Sequence, residues 1–163
     1  MIEAIFVAHG AAKLEEFNGR IRTCLEKLDA DQVWSRGGEH ENAIGNLVLH
    51  LCGNVRQWIG TGVAGLPDIR RRDEEFDARS GAAPAELAER LGAVVADAAA
   101  TIRGLGAADL SRVTRVQSSE MTVLEAVAHV VEHFSMHTGQ IILLTKHATG
   151  EDLGFFVHLK PSR

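Results

Sequence analysis

Apolar residues recur every three or four positions over four stretches of the chain, and each stretch predicts an amphipathic helix. The first runs from about Ala11 to Leu28, with Leu14, Phe17, Ile21, Leu25 and Leu28 on one face. The second runs from about Asn42 to Ile59 and carries Ile44, Leu47, Val48, Leu51, Val55 and Trp58. Asn42 is placed to cap it, and Gly60 and Gly62 to end it. Pro84 suits the first turn of the third helix, which carries Leu87, Leu91, Val94, Val95 and Ile102 up to Arg103 and Gly104. The fourth opens on the capping-box pattern Thr122-Val-Leu-Glu125 and runs to about Thr149, with Gly150 as its stop. It is apolar almost all round, which predicts the most buried element.

Between these stretches the periodicity lapses. Asp29 to Glu41 reads as a long connection whose Trp34 packs back onto the helices. Gly65-Leu-Pro67-Asp68 is turn chemistry, and the charged stretch from Ile69 to Ser80 fits a short exposed helix and an ordered loop equally well. Residues 105–121 form another connection, in which Arg112-Val-Thr-Arg-Val-Gln alternates like a short strand. The tail from Glu151 to Arg163 brings Phe155 and Phe156 to dock on the helices or on a second subunit. No repeat or linker divides the chain. The expectation is one all-α domain over residues 1–163, most simply a four-helix bundle with a long crossover connection.

Composition narrows the function classes. With 45% hydrophobic and 24% charged residues over 163 positions, the chain has the material for a packed core. Net charge is −5, and Arg70-Arg71-Arg72 is answered at once by Asp73-Glu74-Glu75, which argues against nucleic acid as the main ligand. The apolar start, Met1 to His9, is short, carries Glu3 and does not read as a signal peptide; no segment is long enough for a bilayer span. A cytoplasmic location, with no membrane partner, is therefore expected. Cys24 and Cys52 lack metal-ligand spacing and read as small buried hydrophobes. Cys52 also lies about 200° around the helix from His50. Gly45, Gly53 and Gly139 read as places where helices approach closely, not as a phosphate cradle.

The chemistry concentrates in the fourth helix. His129, His133 and His137 stand four residues apart, on one side of the helix and inside an apolar run. Imidazole is the commonest ligand for transition metals, and an i,i+4 pair can reach one ion from one helix face. The two outer rings are about 12 Å apart along the axis, so only an adjacent pair can chelate. A third ligand must come from elsewhere, and His50, in the apolar second helix, is the candidate. Three neutral imidazoles leave a position open for substrate, the arrangement of a catalytic metal rather than a structural one. Glu125, one turn before His129, offers that ring a hydrogen bond or ion pair instead of a metal. Asn46 and Gln140 are candidates to orient the ligand rings or to bind substrate.

The same residues carry a family resemblance. The run from Asn42 to Trp58 resembles the second helix of DinB/YfiT-like proteins. The runs Arg71-Arg-Asp-Glu-Glu-Phe76 and Thr122 to Ile142 resemble one subfamily of that group, long labelled a domain of unknown function. The resemblance spans nearly the whole chain; it is specific around His50 and around His133 and His137, and loose in the first and third helices. It implies a four-helix bundle with a long crossover, often a homodimer. It also implies one divalent metal, nickel or zinc, on a histidine triad matching His50, His133 and His137, with His129 outside it. Some relatives are thiol S-transferases or isomerases that use mycothiol, bacillithiol or glutathione. The first functional expectation is thus a metal-dependent enzyme transferring a low-molecular-weight thiol to a small electrophilic molecule, or a related hydrolase. The alternative is a metal-binding or stress-response dimer without catalysis, and the third possibility is a helical protein with core histidines and no metal.

Overall fold

The structure, a computed structural model, describes residues 1–159 and is mostly helical; the end of the predicted tail, residues 160–163, lies outside it. Its elements in chain order are α1 (Ile2–Leu25), α2 (Ala30–Trp34), α3 (Ile44–Val55), a π-helical segment (Arg56–Val63), α4 (Arg72–Asp77), α5 (Pro84–Arg103) and α6 (Ala107–Ser111). A two-stranded antiparallel hairpin of β1 (Val113–Val116) and β2 (Ser119–Thr122) precedes α7 (Val123–Thr149), and a 3₁₀ turn (Val157–Leu159) closes the described chain.

The four predicted helices are all present; the third and fourth keep their predicted ends, and the first two do not. α1 starts nine residues earlier than its apolar stripe announced, because Val7 and Ala11 extend the buried face one more turn while Ile2 and Ile5 stay exposed. It stops at Leu25, and the connection after it holds the short helix α2. Asp29 and Gln32 cap α2 reciprocally, the Asp29 carboxylate accepting from Gln32 N–H at 2.8 Å and the Gln32 carbonyl from Asp29 N–H at 3.0 Å. Trp34 packs back as expected, donating from Nε1 to the Ala82 carbonyl. Its ring lies over Gly45, where a Cβ would sit 2.8 Å from it.

The second helix differs most from expectation. Ala43, not Asn42, is its cap residue, and Asn46 reaches back to accept from the Ala43 N–H at 3.1 Å. Gly60 and Gly62 do not end it; the chain widens into the π segment, and Ala64 N–H bonds the Ile59 carbonyl five residues back. The hairpin holds this wide turn: Thr114 donates its hydroxyl to the Gly62 carbonyl, Arg112 donates to the Val63 carbonyl, and Val116 occupies the space a Cβ on Gly62 would need.

α1 packs against α5 and α7, and α3 against the same two helices. Their shared interior is filled by Leu14, Ile21, Leu51, Leu87, Leu91, Ile102, Phe134 and Ile141, all fully buried. Phe17 and Phe134 stack across it at 6.5 Å. α7 is not buried all round: Leu124, Met136 and Leu143 are exposed on its outer side. In the tail, Leu153 is buried and the Arg20 guanidinium lies over both the Phe155 and Phe156 rings, at 5.8 and 5.5 Å, so this segment docks on α1. Both cysteines are buried. Among the described residues, no helix is long and apolar enough to cross a membrane.

Candidate metal centre

α3 and α7 bring three rings to one point. His50, on α3, is buried, and His133 and His137, one turn apart on α7, are half-buried. His133 Nε2 lies 3.1 Å from His50 Nε2 and 3.2 Å from His137 Nε2. One ligand nitrogen from each residue falls within 4.8 Å of the other two, close enough to hold a single metal ion.

The opposite ring nitrogens decide what these Nε2 atoms present. Glu75 Oε2 lies 3.1 Å from His50 Nδ1, and Gln140 Oε1 lies 2.6 Å from His137 Nδ1. A carboxylate and an amide oxygen only accept, so each Nδ1 carries the proton and each Nε2 turns a lone pair inward. His133 Nε2 therefore faces two lone pairs, and one proton on it satisfies only one of the two contacts. A cation satisfies all three nitrogens together. Ligand nitrogens at 2.0–2.1 Å from a tetrahedral ion are about 3.3 Å apart, close to the two spacings that His133 Nε2 makes. His133 Nδ1 is buried with no hydrogen-bond partner among the described residues.

Glu75 is the site residue that periodicity did not single out. It is held by a two-pronged ion pair, Arg70 Nε to Oε1 and Arg70 Nη2 to Oε2, both 2.8 Å. Arg70 Nη2 also lies 3.1 Å from His50 Nδ1; with that nitrogen protonated it is a neighbour, not a donor. Arg70 Nη1 donates to Gln57 Oε1 at 3.0 Å, and that oxygen also accepts from Gln117 Nε2 at 3.0 Å. A Cβ on Gly53 would overlap the Glu75 carboxylate, so this glycine makes room where the short helix α4 packs on α3. Among the described residues nothing lies within 4 Å of such a Cβ on Gly139, so close helix approach does not explain it.

The other predicted residues divide. Gln140 orients His137. Asn46 does not touch a histidine; fully buried, it donates to the Glu75 and Ala78 carbonyls at 2.8 and 2.9 Å and so fastens the end of α4 to α3. Its contribution to the site is indirect, through Glu75. His129 stays outside the nitrogen cluster and stacks on Trp58, centroids 4.0 Å apart, while Glu125 spends its carboxylate on the Thr122 cap instead of on His129. The Phe76 ring packs at 4.8 Å from His50.

Electrostatics keep the rings in the ligand form. Burial, with the nearby His137, His50, His129 and Arg70 charges, pushes His133 down to about 3. His137 is also lowered, mainly by burial, although its bond to Gln140 works the other way. Burial alone would raise Glu75, but its hydrogen bonds to Arg70 and His50 outweigh this and its pKa lies below the ordinary value. Cys52, on the far side of α3, is pushed up to about 11, chiefly by burial, so it is no thiolate at neutral pH.

Comparison with known proteins adds a family and a fold. The profile of a family described as "Protein of unknown function (DUF1572)" matches residues 2–157. None of the curated proteins matches the chain. A crystal structure described as a conserved protein of locus from Enterococcus faecalis is similar in fold, with a TM-score of 0.73 at 16% identity, covering 88% of this chain and 97% of that one. The chain belongs to the DUF1572 family.

Proposed function

We propose that this member of a family of unknown function binds one divalent metal ion, nickel or zinc, through Nε2 of His50, His133 and His137. We further propose that it acts as a metal-dependent thiol S-transferase on a small electrophilic molecule. The observation that carries the metal reading is the convergence of three ring nitrogens within 4.8 Å of one another, His133 Nε2 standing 3.1 Å from that of His50 and 3.2 Å from that of His137, with Glu75 and Gln140 holding the protons of two rings on the outer nitrogens. The four long helices α1, α3, α5 and α7, with the long connection between α3 and α5, support the DinB/YfiT-like four-helix-bundle reading.

A divalent ion on three neutral imidazoles supplies Lewis acidity and lowers the pKa of a bound thiol or water. The protein's own contribution is to prepare that site. Glu75 and Gln140 fix the tautomers of His50 and His137 and raise their basicity as ligands. Burial keeps His133 unprotonated at neutral pH. Trp58, through His129, and Phe76, against His50, wall the rings with apolar surface that limits water. The apolar side chains α7 leaves exposed, Met136 and Leu143, support the homodimer expectation, which sedimentation tests.

The test has two stages. Elemental analysis of the purified protein is expected to find about one nickel or zinc per chain, and added metal to raise Tm; no bound ion and no thermal shift would sink the metal reading. The metal-loaded protein is then offered low-molecular-weight thiols with a panel of electrophiles. No metal-dependent conjugation would refute the transferase reading and leave a metal-binding protein without that activity.

A further inference from the structure

A cavity of about 390 Å³ lies on the Nδ1 side of His50, behind the Arg70–Glu75 pair, and contains none of the histidines. Four guanidiniums and three carboxylates line it, one positive charge in excess. Each carboxylate is already engaged: Glu75 by Arg70, Glu74 by Arg71 at 3.0 Å, and Asp68 by the Gln57 amide at 2.7 Å. The cations are not matched in the same way. The side chains of Arg56, where α3 passes into the π segment, and Arg90, on α5, make no ion pair or hydrogen bond among the described residues. They come from two different elements to one concave, partly apolar space floored by Cys52 and Leu49.

We propose that this cavity is a second ligand site, distinct from the histidine cluster, which binds a small molecule through a carboxylate or phosphate group held between Arg56 and Arg90. The volume suits a small metabolite. Two uncommitted guanidiniums can each give a two-pronged bond to such an oxyanion. This inference does not rest on the metal or on the transferase reading.

Isothermal titration calorimetry at fixed ionic strength, with inorganic phosphate and succinate as separate probes, tests it. Saturable binding of at least one probe is expected, and which one binds distinguishes a phosphate from a carboxylate ligand. Arg56→Gln and Arg90→Gln should each weaken it about tenfold or more, the worth of a charged hydrogen bond. Arg56→Lys should retain part of the affinity. Because both side chains are exposed and unpaired, these variants should fold, which circular dichroism checks. His133→Ala should bind the probe as the wild type does. The proposal is overturned if neither probe saturates, if the arginine variants bind as tightly as wild type, or if His133→Ala abolishes binding and so places the anion at the histidines.

Discussion

Replacing Glu75 by glutamine removes the one negative charge that faces both Arg70 and His50. The pair is well shielded, with side chains 10% exposed for Glu75 and 5% for Arg70. Removing one partner of a buried ion pair costs about 3–5 kcal/mol, because the other charge is left without compensation. The cavity gives Arg70 some access to water, which favours the lower end, about 3 kcal/mol. For a chain of this length that corresponds to a fall in Tm of roughly 6–12 °C. Urea unfolding of the metal-free protein measures it. The double change Arg70→Gln with Glu75→Gln should cost less than the two singles summed, since it leaves no lone charge. A pH series gives an independent sign. The carboxyl pKa is lowered in the folded state, so its contribution is complete above the ordinary value of 4.5 and is lost as pH falls through the folded value. The variant should lack that acid-limb loss. A Glu75→Gln protein within about 0.5 kcal/mol of wild type would refute the reasoning.

Four further outcomes are expected. His133→Ala should abolish nickel and zinc binding in equilibrium dialysis, whereas His129→Ala, which removes stacks on Trp58 and on the His133 ring but no ligand nitrogen, should keep one equivalent. Gln140→Ala frees the Nδ1 of His137 and should weaken metal affinity about 10–100-fold with little change in metal-free stability. The folded pKa of His133 is about 3 against 6.5 unfolded, so the unfolded chain binds more protons between those values and stability falls as pH drops through that window. His133→Gln should flatten this slope in urea titrations of the metal-free protein. Gly53→Ala places a methyl group where the Glu75 carboxylate lies and should cost about 1–3 kcal/mol, with weaker metal binding read by the same dialysis.

Periodicity located α1, α3, α5 and α7 because each buries one stripe, and the three ligand candidates followed because they sit on two of those stripes. What the pattern could not locate lies where no stripe exists. α2 is five residues long and made by a capping box, and the π segment depends for its last carbonyls on Arg112 and Thr114, 49 and 52 residues further along the chain. Arg70 and Glu75 were legible only as charges cancelling within Arg70-Arg71-Arg72-Asp73-Glu74-Glu75. The cancellation is real, but Arg71 and Glu74 pair in solvent while Arg70 and Glu75 pair against His50. Depth separates the two pairs, and local sequence does not encode depth. Asn46 gave a partial signal, a polar residue at an apolar position of a helix, although its amide nitrogen donates to backbone carbonyls of a distant turn.

A chain of polar contacts gives the irregular segments one physical role. From the hairpin, Gln117 holds positive φ at 56° and reaches Gln57 at the start of the π segment; Gln57 holds Arg70, Arg70 holds Glu75, and Glu75 fixes the proton of His50. Each link is a hydrogen bond whose donor or acceptor is buried, so breaking one leaves an unsatisfied group and the links reinforce one another. The regular helices place His50 opposite His133 and His137, but they do not determine which nitrogen of His50 faces inward. That choice belongs to α4, to the π segment and to the hairpin tip. The position of the metal candidate is therefore a property of the helices, and its protonation state is a property of the segments between them.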